Sequence, residues 1–159
     1  TTVDQITLCV LTMMLDRPLM KRLEDDPELI PHVTDELMRV SPATYITFPR
    51  MATERVCVGD AVIQPGHLVV VSIIGSNRDP SVFNLADEVA QEESSSAHLT
   101  FGHGVHRCLG APLARLQLIA LLTALVKRFP QLRLADDLNS LTWKTGMATR
   151  GLRQMYVTW

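Results

Sequence analysis

A mainly α fold with a minor β portion is the expectation for this chain of 159 residues. Three observations go with it. Residues 2–15 carry Val3, Ile6, Val10 and Met13 or Met14 at helical spacing, which suits a core-facing helix. A long apolar helical segment, residues 111–129, follows a glycine-punctuated loop. Near the end, residues 141–144 and 152–159 have the look of two strands joined through residues 145–151 as a hairpin.

Between these landmarks proline does much of the punctuation. Pro18 starts a new element, and residues 19–25 suit a short helix with polar flanks. Pro27 fits the first turn of another brief helix; Pro31 begins the next, and Pro42 closes it. Inside that helix Glu36 and Arg39 lie three apart and share a face. On an exposed helix such a pair adds only a fraction of a kcal/mol. Residues 55–74 alternate and then turn continuously apolar, with turn signals at Gly59-Asp60 and Pro65-Gly66. Residues 69–74 suit a buried strand or the start of a helix, and periodicity does not choose. Asn77-Arg78-Asp79-Pro80 is turn chemistry, residues 87–97 form a long polar loop, and Pro130 closes the long helix.

The length suits one domain able to bury a real core, and the 47% apolar content suits a globular protein. A net charge of −2 offers no basic footprint for nucleic acid. Cys9, Cys57 and Cys108 are too few and too scattered for a disulfide framework, and suit a reducing compartment. No signal peptide is visible: the start lacks a basic leader, and Asp4 interrupts its apolar run. The longest apolar stretch, residues 116–126, is about half of a bilayer span. The expectation is a soluble, cytoplasmic protein with no membrane partner.

Cys108 carries the chemistry. It ends Phe101-Gly102-His103-Gly104-Val105-His106-Arg107-Cys108 and sits at the mouth of the long helix. A helix N-terminus favours thiolate over thiol, and the glycines admit close backbone approach to something flat and large. A single thiolate is one known way of holding haem iron. Other readings stay open on the residues alone. A lone cysteine is often a small buried hydrophobe. Zinc is another reading, with His98, His103 and His106 nearby, although the spacings match no standard template. A phosphate loop would want a lysine that is not present.

The segment resembles the haem-binding loop of the cytochrome P-450 superfamily, Phe-Gly-x-Gly-x-His/Arg-x-Cys-x-Gly. All six fixed positions are filled, by Phe101, Gly102, Gly104, His106, Cys108 and Gly110. The following Ala111-Pro112-Leu113-Ala114-Arg115-Leu116 is similar to the soluble bacterial branch. The resemblance, and not spacing, implies the helix-rich fold with minor β. It covers nearly all of the chain but maps to the C-terminal portion of the family fold, so residues 1–159 are expected to form a single partial, haem-binding domain. An N-terminal half is expected to be missing, with Thr1-Thr2 falling inside the family's central helix.

The resemblance further implies haem b, with Cys108 as the iron ligand and Phe101 and Gly102 beside it. His106 and Arg50 match the positions that meet the two propionates, and His98 is a weaker candidate. His103 fills a variable position. Glu36 and Arg39 match a buried structural pair behind the haem. Thr1 corresponds by register to the threonine of the distal proton relay. Tyr45, Ile46 and Thr47, with Met147 and Ala148 at the hairpin tip, match substrate-contacting places. One departure stands out. Glu88 and Glu93 occupy places where the family usually has arginines that complete the Glu36–Arg39 network. Like charge near Glu36 is then expected, with the loop rearranged or with Arg78 or Arg107 compensating.

The function implied is a haem-thiolate monooxygenase, or its C-terminal portion, inserting one oxygen atom from O2 into a small apolar substrate. A ferredoxin or flavoprotein would donate electrons, with Arg107, Arg115 and Lys127 as candidate docking charges. The alternative is a non-catalytic haem-binding or interaction remnant. Self-association through exposed apolar surface is also expected.

Overall fold

Aspartate and proline set the helix boundaries in the first quarter of the chain. In the computed structural model, which describes residues 1–89 and 98–159, helix α1 (Thr2–Leu15) ends where Asp16 caps α2 (Arg17–Asp25). The Asp16 carboxylate accepts the Leu19 N–H at 2.9 Å, and Pro18 occupies the first turn, where its missing N–H costs nothing. Asp26 caps the 3₁₀ turn Pro27–Leu29 in the same way. Helix α3 (Ile30–Val40) begins with Pro31 in its first turn and stops just before Pro42.

Helix α1 buries most of the expected face, with Val10, Met13 and Met14 buried and Ile6 packed on the core, but burial extends beyond it and Val3 departs from it. Val3 is 70% exposed, while Leu8, Cys9, Val10, Leu11, Met13 and Met14 are buried. The reason is its central place. Helices α2, α3 and α5 and strand β5 (Arg133–Leu134) all pack on α1, so burial encircles its C-terminal half. A helix covered on several sides carries no single apolar stripe. Helix α5 (Ala111–Arg128) does carry one: Leu118, Leu122 and Val126, four residues apart, face α1, α2 and α3.

The β portion is small and peripheral. Strand β1 (Arg50–Met51) pairs antiparallel with β4 (Leu68–Val69), and the bridge between Ile46 and Ser72 extends that ribbon. Between them, β2 (Val56–Val58) and β3 (Ala61–Ile63) form a hairpin. Gly59 in its turn has φ 55°, the left-handed region that glycine tolerates. Residues 69–74 are both of the things their composition allowed. Leu68–Val69 is strand, and Ile73–Ser76 is a single helical turn, α4, capped by the Ser72 hydroxyl.

At the C-terminus the expected hairpin is only half right. Trp143 bridges Leu152, with the Lys144 N–H donating to the Gly151 carbonyl at 2.8 Å. Strand β6 (Val157–Thr158), however, pairs with β5 and not with residues 141–144. Pairing with β5 brings Trp159 edge-on against Phe129 at the end of α5, with ring centroids 5.3 Å apart. Among the described residues no helix is long and apolar enough to cross a membrane.

The stripe on α5 sets an expected contrast. Leu122→Ala, at a fully buried position, should lower unfolding free energy by about 2–5 kcal/mol in urea titrations. Leu113→Ala, on the opposite and 60% exposed side of the helix, should change it by about 0.5 kcal/mol or less.

Candidate functional site

The anchor of the site is a buried charge. Glu36 and Arg39 lie on the buried side of α3, each with 1% side-chain exposure. Arg39 Nε donates to Glu36 Oε1 at 2.9 Å, and Nη2 donates to Oε2 at 2.8 Å. The remaining N–H groups reach backbone carbonyls. Nη1 donates to Asn77 and Ala86 at 2.8 and 2.9 Å; Nη2 also reaches Leu85 and Glu88 at 2.9 and 2.7 Å. The Phe83 ring lies 4.6 Å from the guanidinium carbon and adds a cation–π contact.

The expected clash between carboxylates does not occur at Glu88. Its side chain is exposed, and only its backbone carbonyl turns inward, toward Arg39. Carbonyls of Leu85, Ala86 and Glu88 therefore complete the arginine's partners. Glu93 lies outside the described residues. Neither of the two arginines expected to compensate does so. Arg78 pairs with Asp87 at 2.7 Å and with the Val40 carbonyl, and Arg107 is exposed.

Asn77, which opens the turn Asn77-Arg78-Asp79-Pro80, connects this anchor to the cysteine loop. It is fully buried. Its amide donates to the Arg39 carbonyl and the Thr100 hydroxyl at 3.1 and 2.9 Å, and its side-chain oxygen accepts the Leu99 N–H at 2.7 Å. Thr100 in turn donates to the Met38 carbonyl at 2.9 Å. The segment entering the loop is thus stitched to α3. The available signal was its place after a capped helical turn and before Arg78-Asp79-Pro80.

The loop itself closes on one hydrogen bond, from the Cys108 N–H to the Phe101 carbonyl at 2.9 Å. Gly102 and Gly104, at φ 71° and 72°, make the turns that permit it. Gly110 is different. Its φ is −80°, and a Cβ there would sit 3.8 Å from Cys108 Sγ, in ordinary contact. It serves as N-cap of α5 and leaves the space beside the sulfur open.

Cys108 is a free, exposed thiol, which removes the reading of it as a buried hydrophobe. Cys9 is that kind of residue: it is buried, and burial pushes its thiol up to about 12. Around Cys108 the loop exposes large apolar side chains alongside the polar His103, His106 and Arg107. Val105 and Leu109 are 97% and 99% exposed, and Leu113 and Leu116 on α5 follow. Phe48, Met51 and Leu68 on and beside the β1–β4 ribbon are also exposed. Arg50 and His106 are exposed cations or donors without a carboxylate partner among the described residues.

His98, the weaker propionate candidate, is half-buried. Burial, its largest cause, pushes its pKa down, so the imidazole is neutral at pH 7. Its Nδ1 accepts the Thr100 N–H at 3.3 Å, and its ring stands 6.0 Å from that of Phe101. Phe101 packs on the hydrophobic core. No three His, Cys, Asp or Glu side chains converge as a metal cluster among the described residues, so the histidines do not join Cys108 in a zinc-type set.

The remaining candidates fall into two places. Tyr45 meets Arg150, Ile46 is exposed on the bridge to Ser72, and the Thr47 hydroxyl accepts the Val71 N–H at 3.0 Å. Met147 and Ala148 are exposed at the hairpin tip. Thr1 precedes α1, exposed, with its carbonyl accepting the Gln5 N–H. Of the three charges considered for docking, Arg115 is engaged in a two-pronged pair with Asp35 at 2.7 Å, while Arg107 and Lys127 are exposed.

An exposed thiol at a helix mouth, in a glycine loop flanked by bare apolar surface, fits a flat apolar metal complex with anionic edges. That is the donor set of a haem-thiolate protein. The family described as Cytochrome P450 matches residues 16–153, and the chain belongs to it. It is 41% identical over 159 residues to the mycinamicin IV hydroxylase/epoxidase of Micromonospora griseorubida, covering 99% of this chain and 40% of that protein. It is 41% identical over 153 residues to the nocardicin C N-oxygenase of Nocardia uniformis, covering 95% and 38%. Among solved structures, a variant of the mixed-function P450 MycG in complex with mycinamicin IV superposes with a TM-score of 0.91 at 40% identity, over 99% of this chain and 40% of that one. The LnmA cytochrome P450 hydroxylase of Streptomyces atroolivaceus gives a TM-score of 0.91 at 34% identity, over 100% and 41%. The chain thus spans about two-fifths of the length of these relatives. The helix-rich fold with minor β is that of the family, and the family's cofactor is haem b.

The anchor yields an expected pair of outcomes. Arg39→Met strands Glu36 in the core and should cost about 3–5 kcal/mol in chemical denaturation. Glu88→Ala removes only an exposed side chain and should stay within about 0.5 kcal/mol of the parent.

Proposed function

We propose that this chain supplies the thiolate side of a haem-thiolate monooxygenase that inserts one oxygen atom from O2 into a small apolar substrate. The observation that carries the reading is Cys108, exposed in a hydrogen-bonded loop whose far side is tied to a buried ion pair. Iron porphyrin held by a cysteine thiolate supplies the oxygen activation.

The chain's own residues do the rest. Cys108 ligates the iron, and the bond from its N–H to Phe101 fixes where the sulfur stands. Phe101 and the apolar residues Val105 and Leu109 keep water from the sulfur once the cofactor covers them. Arg50 and His106 meet the anionic propionates, Arg50 with the two-pronged geometry that suits a carboxylate. His98, neutral and held by Thr100, retains one ring nitrogen to donate to the same edge. Thr1 serves the distal proton relay. Tyr45, Ile46, Met147 and Ala148 face substrate, while the Thr47 hydroxyl is already used in the ribbon. Electrons come from a ferredoxin or flavoprotein docking near Arg107 and Lys127. The protein works in the cytoplasm. Glu88 in place of a family arginine does not favour the alternative of a non-catalytic remnant, because it does not unpair the buried Arg39.

The test is spectroscopic. Reduced protein with CO should show the thiolate-type Soret band, Cys108→Ser should abolish it, and His98→Ala should keep it. A histidine-type band in the parent would remove the reading. Product formation with a peroxide as surrogate oxidant should then separate the enzyme from a non-catalytic haem protein, which would form none.

A further inference from the structure

A second polar cluster lies away from the cysteine loop, at the N-terminal turn of α1. Asp4 is buried there although it bears a charge. Its Oδ1 accepts from Lys144 Nζ at 2.6 Å, and its Oδ2 accepts from the Thr149 hydroxyl at 2.7 Å. Those two residues stand on opposite legs of the hairpin whose tip is residues 145–148. The Lys144 ammonium first, then the Thr149 hydroxyl, holds the Asp4 carboxyl below the usual carboxylate range.

Gly151 shows how closely the parts fit. A Cβ at this position would lie 2.2 Å from Asp4 Oδ1 and 2.6 Å from its carboxyl carbon. The residue is buried, and its φ is not positive, so glycine is needed for the approach of the carboxylate and not for the turn. The positive φ of 68° at Gly146 belongs to the tip.

The neighbouring Gln5 ties down the other candidate substrate segment. Its amide donates to the Ser41 carbonyl at 2.9 Å and accepts the Ala43 N–H at 2.8 Å. The Ala43 carbonyl accepts the Arg150 N–H at 2.8 Å, and the Arg150 guanidinium covers the Trp143 ring at 3.6 Å and bonds the Tyr45 hydroxyl. One helical turn therefore holds both the hairpin and the segment leading to Tyr45.

We propose that Asp4 is a positioning residue: by clamping both legs of the hairpin it places the tip, residues 145–148, against the Tyr45 segment and so sets which apolar ligands the site accepts. The clamp stands on geometry alone. Its effect on ligand choice rests on the monooxygenase reading, in which the tip touches substrate. Asp4 acts through Lys144 and Thr149 and touches no ligand itself.

Hydrogen exchange and ligand titration on the same variants test this. Asp4→Asn and Gly151→Ala should both speed amide exchange across residues 145–151 by about tenfold, the effect of losing a charge-assisted hydrogen bond, while α5 exchanges as in the parent. Thr149→Val should loosen the tip and Thr149→Ser should not, a rescue that depends on the hydroxyl and not on chain shape. In haem-loaded protein the affinity ratio for naphthalene over pyrene, read from the Soret shift, should move about fivefold in Asp4→Asn and in Gly151→Ala but not in Thr149→Ser. Unchanged tip exchange in both Asp4→Asn and Gly151→Ala overturns the clamp. A loosened tip with an unchanged affinity ratio overturns the role in ligand choice. If the parent takes up no haem through Cys108, the monooxygenase reading and the role in ligand choice fall together, and the exchange measurement still decides the clamp.

Discussion

The guanidinium of Arg39 is the constraint around which the cysteine side of the molecule is arranged. A buried cation is expensive unless every donor is met. Here Glu36 meets it along one edge, and carbonyls from residues 77, 85, 86 and 88 meet the rest. Four carbonyls from outside α3 cannot converge on one side chain unless the chain between residues 77 and 88 wraps around it. That wrapping places Asn77, and Asn77 holds Leu99 and Thr100 at the start of the cysteine loop. The position of the sulfur thus follows from a polar knot on α3, several bonds removed from it.

The two sides of this knot differ in character. Toward α1 and α5 the chain buries a continuous apolar core. Toward Cys108 it leaves large apolar side chains almost bare, Val105 and Leu109 above all. Burying one such residue is worth about 1.5–3 kcal/mol, so a flat apolar cofactor settling there gains strongly from area alone. Under the proposed function, the polar groups of Arg50 and His106 would then orient the cofactor rather than attract it. The division lets the loop be held without being covered. Its backbone is fixed from behind by hydrogen bonds, and its face is left free.

What was legible in the sequence follows the range of the forces involved. Proline and aspartate mark helix starts because N-caps and missing N–H groups act over two or three residues, as at Asp16, Pro18 and Pro31. The cysteine loop was legible because chemistry prescribes residue types at close spacing. The burial pattern of α1 was not, because packing on several sides hides its periodicity. The pairing of β6 with β5 was not legible either, because strands of two residues carry too little pattern to name a partner. Asn77 and Asp4 were the least visible. Asn77 reaches partners 38 and 23 positions away, and Asp4 reaches Thr149 across 145. An isolated polar letter does not show that it will be buried and satisfied from so far along the chain.

The same long-range polar contacts narrow where a partner protein can engage. Arg115 sits one turn into α5, and from sequence it is as good a docking charge as Arg107 or Lys127. The structure commits it instead to Asp35, with three bonds of 2.7–3.0 Å that tie α5 to α3. A guanidinium held this way has its charge largely neutralised, and freeing it for a partner would break the link between the two helices that flank the cysteine loop. Of the three cations considered for docking, Arg107, next to Cys108 in the chain, and Lys127, far along the helix, stay exposed. Under the haem-thiolate reading proposed above, a donor engaging these charges would therefore meet Arg107, next to Cys108 in the chain, and not Arg115.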